Sequence, residues 1–293
     1  MDHAEIFENI EVNSNSSEAV QLLVTTAQEI PSIYRESQRA IKEFTNRQSK
    51  EKLQLPKQVI DLHYAAFSQA ASSANISGDC LITFYTSVVK HSTLMTYSPF
   101  VLIRTAIESA RYAQWLLEDV SSTPLLKRGY AAKFKGLKEI LDYLNAKKNA
   151  GRMTLEDQQR SMLLTKEYEQ LIRYGRENGL LKRGKRSRSF EPIDPVPSAT
   201  LLFSSIYGPE GLTNVSHIFA QLSGISHGLD WASSLSTERT VVSFSPELAT
   251  DGVFNKVTLS TAVKPDDMII PLQVALLQLA KLGNLFHDAA ENY

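Results

Sequence analysis

Cysteine is almost absent from this 293-residue chain, and Cys80 is the only one. A single thiol excludes an intrachain disulfide and a cysteine metal cage, and it fits a reducing, cytoplasmic setting. An excess of charge of one sign is also missing. With 31 Lys and Arg against 32 Asp and Glu, the net charge is −1. No global field therefore draws nucleic acid or a membrane surface, and a nucleic-acid role needs a local basic patch. Long hydrophobic runs are missing too. The longest weakly charged stretch, 81–103, contains Lys90, His91, several hydroxyls and Pro99, so it does not read as a membrane span. The first residues, Met1-Asp2-His3-Ala4-Glu5, are acidic and polar, unlike the basic and apolar start of a signal peptide. No spacing of His, Asp and Glu matches a zinc or di-iron site. The dinucleotide, kinase and nucleophile-elbow signatures do not occur. No metal and no cofactor is expected.

What is present is helical periodicity. Apolar residues recur at three and four over 17–29 and 32–48, with Pro31 as the break between them. Pro56 suits the first turn of a helix reaching about Ala74, and 75–78 reads as a turn. Residues 81–89 are rich in β-branched and aromatic side chains, yet flanking helices favour a buried helix there. Ser98-Pro99 and Thr123-Pro124 read as helix starts, the second helix running to about Lys148. Thr154-Leu155-Glu156-Asp157 resembles a capping box, and Gly179 after Asn178 closes that helix. A mobile loop is expected over 180–196, with a short helix at 198–207, a long one at 211–235 and a last one at 265–290. Alternation over 240–245 and 256–261 predicts a small hairpin. The chain therefore reads as an all-α multi-helix bundle with a small β-hairpin near 240–261. A helical extension over 1–75 is expected to precede the main domain at 76–293.

Two of these helices carry polar residues where core is expected. On 98–119 they are Arg104, Glu108, Arg111 and Trp115; on 211–235 they are Ser223, His227 and Trp231. Spacings of three and four place each set on one helix face. Buried polar groups need partners, and each stripe is a natural partner for the other. Arg104, Glu108 and Arg111 form either a structural ion-pair ladder or two guanidinium groups aimed at a phosphate or carboxylate. His227 is either a hydrogen-bonded core histidine or a proton-transfer group. Gly224 and Gly228 beside it point to close approach of a helix or ligand, because glycine costs about 1 kcal/mol inside a helix. His63 and His91 lack convergent neighbours, His217 lies ten residues from His227 and so well off that face, and His287 stands near the C-terminus beside Asp288.

The blocks Arg104-Thr105-Ala106-Ile107-Glu108-Ser109, Trp115-Leu116-Leu117 and Leu222-Ser223-Gly224-Ile225-Ser226-His227-Gly228 resemble signatures of a bacterial branch of the HEPN-like all-α proteins. That resemblance implies a metal-independent endoribonuclease in a defence or toxin–antitoxin setting, an antitoxin or other protein partner, and a homodimer. His227 would be general acid/base on a ribose 2′-hydroxyl. Arg104 and Arg111 would hold the phosphate, Glu108 would orient an arginine, and Ser223 would bond substrate or His227. The HEPN nuclease motif separates its arginine from its histidine by four to six residues, and here those positions are Ala220, Gln221 and Leu222. The alternative is a non-catalytic ligand-binding or protein-interaction module in which the same cluster pins helices. A third feature is the run Lys182, Arg183, Lys185, Arg186 and Arg188, which either grips an RNA backbone or is a solvated loop. Its near match to a P-loop fails, because Arg186 stands where Ser or Thr would bind magnesium and a helix precedes it.

Overall fold

The structure is a computed structural model describing residues 14–48, 56–92, 94–184, 189–206, 216–229, 232, 237–249 and 252–292. It is all-α apart from two antiparallel hairpins. The helices are α1 (Ser14–Ala27), α2 (Ile30–Gln48), α3 (Lys57–Tyr85), α4 (Ser98–Leu117), α5 (Ser122–Asn149), α6 (Leu155–Glu177), α7 (Ala199–Ser204), α8 (Ser216–Ser226) and α9 (Asp266–Asn292). A π-helical turn, Thr86–Lys90, extends α3. Strands β1 (Leu181–Arg183) and β2 (Phe190–Pro192) pair with each other, as do β3 (Thr237–Ala249) and β4 (Gly252–Val263).

Several ends follow from local chemistry. Pro31 sits at the second position of α2, where its missing N–H costs nothing. The Thr154 hydroxyl accepts from Asp157 N–H and the Asp157 carboxylate accepts from Thr154 N–H, so the expected capping box is complete. Gly179 takes the left-handed conformation (φ 65°) just past α6, which only glycine adopts freely. Thr240 pairs with Ser260 and Ser245 with Lys256, so the expected hairpin forms and extends further at both ends.

Three readings are corrected. Residues 75–78 continue α3 instead of turning, because Gly78 serves packing: the Tyr34 ring fills the space a Cβ would need. The expected loop over 180–196 is tied at its ends as the β1–β2 hairpin, with Leu180 and Pro192 buried. The α5 N-cap is Ser121, two residues before the expected cap Thr123 of the Thr123-Pro124 start.

The described residues group into two compact units. The first comprises the described parts of Met1–Glu36, Ile76–Glu108 and Phe203–Ala280; the second comprises those of Ser37–Asn75, Ser109–Leu202 and Lys281–Tyr293. The stretch 1–75 thus contributes to both. In the first unit Leu23, Ile30, Leu81, Phe84, Phe100, Ile103, Ile107, Phe203, Leu222 and Leu272 form one apolar core. The second unit has two cores. In one, Phe44 meets Phe67 and Phe286 edge to face, at 4.7 and 5.7 Å between ring centroids. The other gathers Leu62, Tyr130, Phe134, Leu171 and Leu180, with the Tyr130 hydroxyl donating to the Leu171 carbonyl at 3.1 Å.

Among the described residues one helix, Asp266–Glu291 within α9, is long and apolar enough to cross a membrane. Its Met268, Leu272, Leu279, Leu282 and Phe286 have no exposed surface, so its apolarity is accounted for by burial in the two cores.

Candidate functional site

Arg104 lies on the first-unit part of α4. Its neighbours Ile103 and Ile107 enter the core and leave the arginine at the rim. Arg104 Nε donates to Glu108 Oε1 at 2.8 Å, one helical turn on. The guanidinium lies 5.5 Å from the centre of the Phe219 ring on α8, and Phe219 in turn tilts against Phe203 at 4.6 Å. The contact that Arg104 makes with α8 is thus a cation–π contact to Phe219, which is not a member of the stripe of Ser223, His227 and Trp231. Arg104 keeps its charge half-satisfied by a carboxylate and half by an aromatic face.

Arg111 belongs to the second unit. It is buried, with 5% of its surface exposed, and Gln114 beside it has none. Its Nη1 donates to Gln114 Oε1, its Nε to the Leu202 carbonyl at 3.4 Å, and its Nη2 pairs with Glu118 Oε1 at 3.6 Å. The Leu202 carbonyl lies in the last turn of α7, so Arg111 places its positive charge at the C-terminal end of that helix. Burial pulls the Arg111 pKa below the ordinary arginine value, and Glu118 opposes the shift. Gln114 and Glu118, which the spacing argument did not single out, are partners of Arg111 further along the helix. Arg111 is thus a buried cation held by Gln114, Glu118 and the Leu202 carbonyl.

The α8 helix ends sooner than expected, and the end explains His227. Gly228 has φ 67°, Gly228 N–H donates to the Ile225 carbonyl at 3.0 Å, and Leu229 N–H donates to the Gly224 carbonyl at 2.8 Å. These are the two bonds of a Schellman motif, with Gly228 as its left-handed residue and His227 as the C-cap. Gly228 is thus a stop signal and not a site of close helix approach. His227 is exposed; Ser223, whose carbonyl accepts from the His227 N–H, is half-buried. Eight residues separate Phe219 from His227, about 12 Å of helix rise. Trp231 lies outside the described residues.

Lys182 and Arg183 are exposed on β1, opposite Glu191 and Phe190. Lys185, Arg186 and Arg188 lie outside the described residues. The other histidines diverge: His63 is buried on α3, His91 and His217 are exposed, and His287 pairs with Glu291 at 3.5 Å. Among the described residues no group of three or more His, Cys, Asp and Glu side chains could hold a metal.

Two arrangements escape a linear reading. Trp115 stacks on Tyr112 with ring centres 5.9 Å apart, and the Arg128 guanidinium from α5 lies 6.0 Å from the Trp115 ring. Burial first, and Glu139 second, push the Tyr112 pKa up to about 12. The second is the outer surface of α5 and α6, where Tyr143, Leu155, Met162 and Leu163 are 60% or more exposed. The alternation of inward and outward apolar residues along 155–175 was a signal for it, readable only once the inward face is known. Against protein-family models, curated proteins and solved structures, the chain finds no match in any of the three. The HEPN-like resemblance therefore rests on the short sequence blocks alone.

Proposed function

We propose that this chain is a non-catalytic helical interaction module whose polar cluster fixes helices instead of performing chemistry. The observation that carries the reading is Arg111: a buried guanidinium spent on Gln114, Glu118 and the end of α7. A phosphate would have to displace those partners inside a nearly dry site, at the cost of leaving them unpaired. Arg104 and Glu108 pair with each other, and the aromatic face that Arg104 meets on α8 is Phe219 and not His227.

The ribonuclease reading keeps two supporting observations. His227 is solvent-exposed, and Phe219 draws Arg104 onto the helix that His227 caps. Incubation of purified protein with total RNA in chelator, beside His227→Ala, separates the two readings. The module reading expects intact RNA with both proteins. Cleavage by the wild type that His227→Ala abolishes would overturn it and restore a defence or toxin-type ribonuclease.

A further inference from the structure

We infer that the β3–β4 hairpin inserts into lipid bilayers, where hairpins from several copies line a pore. The observation is a register that sorts the hairpin into two sides. Residues directly opposite each other share a side, and the sides alternate along each strand. One side collects Val241, Phe244 and Leu248 opposite Leu259, Val257 and Val253. The other collects Thr240, Ser243 and Ser245 opposite Ser260, Thr258 and Lys256. This sorting depends on the register shift between Val241 and Ser243. Strict alternation would put Phe244 on the side of Thr240; the extra residue, Val242, brings it to the side of Val241.

A two-stranded hairpin with one apolar side is marginally stable in water and needs an occupant on that side. Among the described residues β1 lies along α6 and β2 along α5, whereas β3 and β4 run along each other alone. Three features make hydrocarbon the occupant. The first is length: β3 has 13 residues and β4 has 12. At about 3.3 Å per residue and a tilt of about 40° they rise about 30–33 Å, and a bilayer's hydrocarbon core is about 30 Å thick. The second is the opposite side, mostly Ser and Thr, which suits a water-filled lumen. The third is charge. Over 237–263, Arg239 and Lys256 stand against Glu238, Glu247 and Asp251, so no positive excess draws an RNA backbone or an anionic headgroup. The one charge on the apolar side is Arg239, opposite Thr261 near the base of the hairpin, where an arginine reaches the headgroup level.

An open strand edge is not tolerated in hydrocarbon, so inserted hairpins must close into a barrel. The smallest membrane barrels have about eight strands, which is about four copies of this hairpin. The hydroxyl side then faces the lumen and the apolar side faces lipid. The inference goes beyond the interaction-module reading and uses none of the residues of its polar cluster.

The test uses the purified full chain and neutral phosphatidylcholine vesicles loaded with a self-quenching dye. The wild type should float with the vesicles and release the dye, with little dependence on salt. Val257→Arg and Phe244→Arg put a charge on the lipid side midway along the hairpin, and each should lower the vesicle partition coefficient about thirtyfold or more. Thr258→Arg and Ser243→Arg put the same charge one residue away, on the lumen side, and should keep both binding and release. Circular dichroism of the vesicle-free variants, matched to wild type, separates lost insertion from lost folding. A wild type that stays in solution or binds without release, or a second pair as impaired as the first, would overturn the inference. The RNA assay reads the polar cluster and the vesicle assay reads the hairpin, so failure of this inference and failure of the module reading are told apart.

Discussion

Replacing Arg111 with alanine should be among the most costly single changes to a charged residue of this chain. The substitution removes a charge-assisted bond to Gln114, a bond to the last turn of α7 and an ion pair with Glu118. Hydrogen bonds to a charged group are worth about 1.5–3 kcal/mol each where buried, and breaking a buried polar network on one side costs about 3–5 kcal/mol. The Glu118 contact adds little to that, because its side chain is 44% exposed and the pair is 3.6 Å long. Arg104→Ala is the internal control. It loses an i,i+4 pair and one cation–π contact at the rim, together about 1–2 kcal/mol. Arg111→Met retains the apolar stem and should recover part of the loss. Urea unfolding followed by circular dichroism and by tryptophan fluorescence measures all three. An Arg111→Ala cost below about 1 kcal/mol, or one no larger than that of Arg104→Ala, would refute the assignment of Arg111 as a structural cation.

Other outcomes follow from particular contacts. In α5, a Cβ at Gly129 would strike the Leu62 backbone carbonyl, whereas at Gly136 it meets nothing within 4 Å. Thermal unfolding should therefore show Gly129→Ala destabilised by several kcal/mol and Gly136→Ala stabilised by about 1 kcal/mol. The Asp157 pKa is lowered to about 2, first by Lys147 and then by the Thr154 N–H and hydroxyl. A depressed carboxylate contributes stability above its unfolded pKa and loses it as pH falls through the folded one. Asp157→Asn should therefore differ from wild type at neutral pH and converge with it near pH 2, as pH-dependent melting would show. Tyr112, pushed up to about 12, stabilises the fold below its unfolded pKa and ceases to do so as pH rises through the folded value. Absorbance at alkaline pH should show at least one tyrosine fewer titrating near the ordinary value, and Tyr112→Phe should leave that early-titrating population unchanged.

The sequence by itself determined the elements. Periodicity, Pro31, the Ser98-Pro99 start and the Thr154–Asp157 box are local devices, set by backbone bonds within one or two turns, so the helices they bound fall near where a linear reading puts them. The hairpin at Thr237–Val263 was legible for the same reason, from alternation. What the sequence left open was every question about partners. The glycine at 78 is a turn signal locally and a packing gap once the Tyr34 ring is present. Gly228 beside a histidine reads equally as a site of close approach or a stop, and only its positive φ and the Schellman bonds decide. Arg104 and Arg111 look alike on one helix face, seven residues apart. Tertiary structure gives one an aromatic ring and a neighbouring carboxylate, and gives the other a buried glutamine and a helix end. A side chain's role depends on desolvation and on groups distant in sequence, and neither is encoded in spacing along the chain.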